Sequence, residues 1–241
     1  MIDSVKTAFL LLQTIASSPD CGLSEIARLS NINKSRVYRM LSDLTVLGYL
    51  QQNPETLTYR LGLQSVMLGQ AAQGQNDLIA LAEAECVKLT RKFDENVQLR
   101  VRDGTEGIQI FSRKSRQELQ VHSQVGNRRK LGLGASGKLL LAYAPEPIIE
   151  NCLPNLPYQI EVLMAIREAG YAESFSELTE GVCAIAAPIF SADGSCNSAL
   201  SVSLPTVRAT KDRIEEIRKD LLAATERISL CCGFTNSKES L

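Results

Sequence analysis

The chain has 241 residues, with 26 Lys and Arg, 27 Asp and Glu, one His, seven Cys and no Trp. That length suits one large domain or two small ones, at roughly 100–200 residues per domain. Its 44% hydrophobic and 22% charged composition excludes disorder and collagen-like repeats.

The longest apolar runs, such as Ala8–Leu12 and Leu139–Ala142, fall well short of the ~20 residues a membrane span needs. The start, Met-Ile-Asp-Ser, carries no basic or apolar signal segment, so a cytoplasmic protein with no membrane partner is expected. The cysteines are odd in number and form no CxxC pair; they are read as reduced thiols. With one His and no Cys cluster, neither a metal site nor a cofactor is expected.

Apolar side chains at Val5, Ala8, Phe9, Leu12, Ile15 and Ala16 follow helical spacing and predict a first amphipathic helix over 4–17. Ser17 to Gly22 reads as a turn. A short second helix is expected from Ser24, as its cap, to Ser30. Asn31-Ile32-Asn33 forms a tight connection to a third helix from about Lys34 to Leu47. That helix has Val37, Met40, Leu41, Leu44 and Leu47 on one face, and Gly48 follows its end. Tyr49–Gln52 and Thr58–Leu61, around Asn53-Pro54-Glu55, predict a β-hairpin.

Three helices and a hairpin, with a three-residue turn between the second and third helices, match the winged helix-turn-helix plan. The charges between Ile26 and Ser42 are Arg28, Lys34, Arg36 and Arg39, with no acid among them. A local basic face of this kind is what phosphate contact requires, although a solvated helix face has the same pattern. The candidate DNA contacts are therefore Arg28, Lys34, Ser35, Arg36, Tyr38 and Arg39, with Thr58 on the wing; Arg and Ser reach base edges, and Lys, Ser and Tyr reach phosphates.

A connecting helix with Leu63, Val66 and Met67 on one face is expected over 63–76, and the pattern breaks at Gly74-Gln75-Asn76-Asp77. The second half mixes helix and strand. A helix over 78–93 precedes a half-buried strand in which Val97, Leu99 and Val101 alternate with Gln98, Arg100 and Arg102. Strands are expected at 107–113, 119–125, 182–190 and 197–204, and helices at 138–143, 158–170 and 210–231. Such a pattern predicts an α+β domain on a central antiparallel sheet. The division expected is a DNA-binding domain over 1–62, a linker helix over 63–76, an α+β domain over 77–235 and a tail over 236–241.

Several ordered fragments resemble the IclR family of bacterial transcriptional regulators. They are Leu23-Ser24-Glu25-Ile26-Ala27-Arg28, Asn33-Lys34-Ser35, Val37-Tyr38-Arg39-Met40-Leu41, Leu47-Gly48-Tyr49-Leu50 and Tyr59-Arg60-Leu61-Gly62. In the second half they are Ala135-Ser136-Gly137-Lys138, Glu180-Gly181-Val182, Ile185-Ala186-Ala187-Pro188 and Ala199-Leu200-Ser201-Val202-Ser203. Together they span about residues 3 to 232. The resemblance implies a winged helix-turn-helix, a linker helix and a GAF-like effector domain. It also implies a homodimer or homotetramer on double-stranded operator DNA, with binding modulated by a small carboxylate or aromatic acid.

Candidate effector contacts are Gly134, Ala135 and Ser136, at a small-residue loop before a helix, where free N–H groups attract anions. The resemblance adds Val182 and Ala184, on the pocket face of their strand, and Ser174, ahead of that strand; Ser201 and Ser203 share a face of the neighbouring strand. The family often has an acid where Ser174 stands, a Cys where Ala184 stands and a small hydroxyl residue where Gly134 stands. Cys183 should face away from the pocket. Arg128-Arg129-Lys130 would bring positive potential near the loop, and His122 reads as structural. An enzyme would need a paired nucleophile and base or a phosphate loop, and neither motif is visible. A protein-interaction adaptor using the same helices is the other alternative.

Overall fold

The computed structural model describes residues 3–74, 77–121 and 124–235. These fall into two compact units, one up to residue 74 and one from residue 77.

The first unit packs α1 (Asp3–Ser17), α2 (Leu23–Ser30) and α3 (Lys34–Val46) against a three-stranded sheet of β1 (Cys21–Gly22), β2 (Leu50–Gln52) and β3 (Thr58–Leu61). The strand order is β1-β3-β2, and all pairs are antiparallel. Its core joins Leu11, Ile15, Ile26, Val37, Leu41, Leu44, Leu50 and Tyr59.

Asn31 ends α2 in the left-handed conformation, φ 54°, which a short polar side chain tolerates. The Asn33 side chain then caps α3 by accepting from the Ser35 amide at 2.9 Å. These two asparagines set the turn between the helices. At the end of α3, Gly48 (φ 78°) turns the chain, and a Cβ on Gly62 would lie 2.3 Å from the Gly48 carbonyl oxygen. Only glycine permits that approach. Then α4 (Leu63–Gly74) begins, tied back by the Ser65 hydroxyl to the Tyr49 carbonyl at 2.9 Å.

Three expectations for this unit are corrected. The buried stripe of α1 is Thr7, Leu11 and Ile15, whereas Val5 and Phe9 are exposed. The expected stripe was out of phase because Ala8–Leu12 is apolar all round. Ser24 is not the cap of α2, since Gly22 holds that position without a side-chain bond. Leu47 is exposed rather than part of the α3 core face, because the helix ends at Val46.

The second unit has a six-stranded antiparallel sheet, order β6-β5-β4-β9-β8-β7. Its strands are β4 (Asn96–Asp103), β5 (Glu106–Arg113), β6 (Arg128–Lys130), β7 (Ala172–Phe175), β8 (Val182–Phe190) and β9 (Cys196–Pro205). One face carries Val97, Leu99, Cys183, Ile185, Ala187, Leu200, Val202 and Leu204. It packs on α5 (Asp77–Phe93) and α9 (Lys211–Cys231). Cys183 is fully buried there, away from the opposite face, as strand alternation predicts.

On the other face Ala172, Ala186 and Ala199 pack on α6 (Gly134–Ala142) and α8 (Ile160–Ala169), with α7 (Glu146–Cys152) adding Ile149. Small alanines on the sheet let α6 approach closely, and leucines 139–141 supply the bulk.

The third strand of this sheet is β6, not 119–125. Leu119 and Val125 are exposed, and the described residues of that segment form no strand. Residues 122 and 123 lie outside the described set, and with them His122, as do 75, 76 and the tail 236–241. Helix α7 and strand β7 were not expected. Pro147 stands in the first turn of α7, where its missing N–H costs nothing.

Candidate functional site

The exposed side of α3 carries Lys34, Ser35, Tyr38 and Arg39 at one helical face. Tyr38 is 58% exposed. The Ser35 hydroxyl donates to Asn33 at 2.7 Å, so it is partly used by the cap. Among the described residues Lys34 and Arg39 have no carboxylate in ion-pair contact.

Arg36 is different. Its guanidinium donates to the Asp3 carboxylate and, at 2.9 Å, to the Thr7 hydroxyl, both on α1. The sequence reading put Arg36 with the outward residues; the structure turns it toward α1. Arg28 lies 3.8 Å from Glu25, one turn earlier on α2. Thr58, at the start of β3, is half-buried, with its hydroxyl 2.7 Å from that of Thr56.

In the second unit a cavity of about 260 Å³ opens between the α6 end and the sheet. Of the residues expected there, Gly134, Ala135, Ser136, Ser174, Val182, Ala184 and Ser203 line it. Register explains the grouping, since Ser203 pairs with Ala184 and Ala184 with Ser174 across three strands. Ser201 is the exception. It is 1% exposed and absent from the lining, with its hydroxyl 3.5 Å from the Gln98 carbonyl.

The expected small-residue loop is the first turn of α6 itself, which starts at Gly134 rather than Lys138. Its N-terminus is already occupied. The Gly134 amide donates to Glu177 Oε2 at 3.1 Å, and Lys138 holds the other oxygen of that carboxylate. Gly134 has φ 68°, and a Cβ there would meet Leu178 Cδ1 at 2.6 Å. The small hydroxyl residue that the family resemblance expected would be strained at this position. Just before it, the Tyr158 hydroxyl donates to the Gly132 carbonyl at 2.6 Å and fixes the approach to the helix.

The lining residues that sequence reading passed over include Gln98 and Arg100 on β4, and Glu177 and Leu178 between β7 and β8. The alternation from Val97 to Arg102 predicts a half-buried strand. Instead Gln98 (5%) and Arg100 (6%) are as buried as their apolar neighbours. Arg129 and Lys130 also line the cavity. Desolvation, with Arg129 nearby, pulls the Arg100 pKa down to about 10. A sheet face that buries Gln98, Arg100, Gln109, Ser174 and Ser203 is unusual for a core, which normally excludes polar groups.

The amino-terminal part, residues 4–54, matches the model of the IclR helix-turn-helix domain. Residues 70–230 match that of the bacterial transcriptional regulator IclR C-terminal domain.

The chain belongs to the IclR family.

It is a transcriptional regulator of that family, with a helix-turn-helix domain followed by an effector domain on a curled antiparallel sheet. IclR-family members are regulators of transcription, not enzymes. The HTH-type transcriptional regulator KdgR of Escherichia coli (strain K12) is 31% identical over 97% of this chain and 94% of its own. The IclR transcriptional regulator from Alicyclobacillus acidocaldarius has the same fold. It matches at TM-score 0.89 and 25% identity, over 97% of this chain and 100% of that one. An IclR homolog from Microbacterium hydrocarbonoxydans, crystallised with 4-hydroxybenzoate, matches at TM-score 0.81 and 21% identity, over 95% and 99% of the two chains. No helix among the described residues of this IclR regulator is long and apolar enough to cross a membrane.

Proposed function

We propose that this protein binds operator DNA through α3 and the wing, and that a small organic acid in the cavity of the second unit modulates that binding. The observation that carries the DNA half is the first two turns of α3, where Lys34, Ser35, Tyr38 and Arg39 are exposed together with no acid between them. Lys34 contacts phosphate; Arg39, with Ser35 and Tyr38, faces the major groove. Arg28 and Thr58 lie at the margins, and Arg36 contributes after release from Asp3.

The effector half is supported by the buried polar lining of the cavity. It is also supported by the Microbacterium homolog, which carries an aromatic acid. In this reading Ser136, Ser174 and Ser203 bond to the ligand, while Gly134, Ala135, Val182 and Ala184 shape the space around it. Ser201 acts only through its neighbours. The boundaries at 62 and 76 separate the reading head, the linker helix and the effector domain.

The protein acts in the cytoplasm as a homodimer or homotetramer. Leu63, Val66, Met67 and Leu68 on α4 are all more than half exposed, an apolar surface that a second copy would cover. A dimer would read half-sites one helical turn apart.

The test is a duplex enriched from a random pool by the full-length protein, then titrated with aliphatic and aromatic carboxylic acids. The reading expects at least one acid to shift the DNA affinity severalfold. If no acid shifts it, the effector half is overturned; if no duplex is enriched, the DNA half is.

A further inference from the structure

Three groups of buried charge stand out in the second unit, and two of them are balanced. Glu95, 1% exposed, is held by Arg208 and Arg213. Glu85 is held by Lys88 and Arg227. Arg100 is not balanced. It is only 6% exposed. Its guanidinium donates to the Gly107 carbonyl (3.2 Å), Gln109 Oε1 (3.2 Å) and Asn127 Oδ1 (3.4 Å), all neutral acceptors. Among the described residues no carboxylate pairs with it, and the charge that acts on it is another cation, Arg129. A buried ion without an opposite charge is costly. Arg100 nonetheless faces the cavity rather than the apolar core.

The α6 N-terminus of that cavity is the reverse case. Its amide and its lysine are satisfied by Glu177. A ligand carboxylate placed there would meet a carboxylate of the protein, and like charges at contact repel. Of the cations that line the cavity, Arg129 is half-buried and Lys130 exposed, so Arg100 is the buried one. The buried positive charge and the filled anion position therefore assign the ligand's ends.

We propose that Arg100 holds the carboxylate of the effector, that Glu177 limits the site to acids with a single carboxylate, and that the ligand is an aliphatic hydroxy acid. The hydroxy class follows from the rest of the lining. Ser174, Ser203 and Gln98 offer hydroxyl and amide partners, and among the described lining residues no aromatic side chain offers a stacking surface. This inference rests on the cavity being the effector site.

The test is calorimetric titration of the full-length protein with threonate, tartrate, threitol and 4-hydroxybenzoate. The expected order is threonate over tartrate over threitol. Arg100→Gln is expected to weaken threonate about 10–100-fold, as loss of a charge-assisted bond does, with Arg100→Lys in between. Glu177→Gln is expected to narrow the threonate-to-tartrate gap at least severalfold. Because Glu177 is on the surface side of the cavity, that second readout stands even where Arg100→Gln does not fold.

Threonate bound equally by wild type and Arg100→Gln overturns the role of Arg100, and an unchanged gap in Glu177→Gln overturns the charge limit. Binding of 4-hydroxybenzoate with no aliphatic acid overturns the ligand class and leaves the effector reading standing. No acid bound at all overturns both.

Discussion

Asp3 and Arg36, 33 positions apart in the chain, join α1 to the outward helix of the helix-turn-helix, with the Asp3 carboxylate and the Thr7 hydroxyl sharing one guanidinium nitrogen. The basic residues of α3 are therefore not equivalent. Arg39→Ala is expected to cost about 1–3 kcal/mol in binding a selected duplex, the range for loss of a bidentate base contact. Arg36→Ala is expected to cost less in DNA binding, and under about 1 kcal/mol in stability, since both partners of its ion pair are substantially exposed. Fluorescence anisotropy and urea unfolding check the order; a larger DNA loss in Arg36→Ala would reverse the assignment.

Gly134 is strained for any other residue by conformation and by space. Gly134→Ala is expected to lower stability by about 1–3 kcal/mol, from a left-handed φ and the Leu178 clash. Adding Leu178→Ala should recover only the steric share. Thermal unfolding of the single and double variants separates the two; full recovery would mean that the backbone is not strained.

Glu95 is expected to be a weak point. It takes the Arg208 fork at 2.7 and 2.6 Å and Arg213 at 3.2 Å. Arg208→Ala leaves a buried carboxylate with one partner, and a loss toward the lower end of about 3–5 kcal/mol is expected. Arg208→Ala with Glu95→Gln should be milder than Arg208→Ala alone, which denaturant unfolding measures. Equal losses would mean that the loss in Arg208→Ala does not come from leaving the Glu95 carboxylate short of a partner.

Acid sensitivity follows from Glu85. The hydrogen bond from Arg227, and then that from Lys88, hold its carboxyl below the usual range against the opposing effect of burial. A depressed carboxylate stabilises the fold above its unfolded pKa, about 4.3, and that share is lost as pH falls through the lower folded value. Glu85→Gln should therefore flatten the fall in stability below about pH 4.3. Unfolding curves between neutral and acid pH decide; a wild-type slope retained in the variant would remove Glu85 from the account.

The helix-turn-helix was legible because its signals are local: two asparagines around one apolar residue, a glycine after α3 and a hairpin turn. The phase of α1 was not, because five consecutive apolar residues from Ala8 define no single face, and tertiary packing chose Leu11 and Ile15. On the sheet, alternation correctly put Cys183 opposite Ala184. It misread Arg100 as an exposed strand residue, because the cover over that face comes from elements far along the chain. The occupation of the α6 end by Glu177 is likewise long-range, at a separation of 43 residues, and no local pattern announces it. Ser201 shares the face of Ser203 but sits one pair deeper in the sheet, opposite Gln98, which spacing alone does not reveal.

The most direct test of the central claim is the salt dependence of binding to the selected duplex. Anisotropy titrations of the wild type and Lys34→Ala across a range of salt concentrations would supply it. The account predicts affinity that falls steeply with salt, and a log–log slope reduced by about 1 in Lys34→Ala through the loss of one phosphate contact. Binding indifferent to salt, or a slope unchanged by Lys34→Ala, would contradict the assignment of α3 as the DNA-contacting helix.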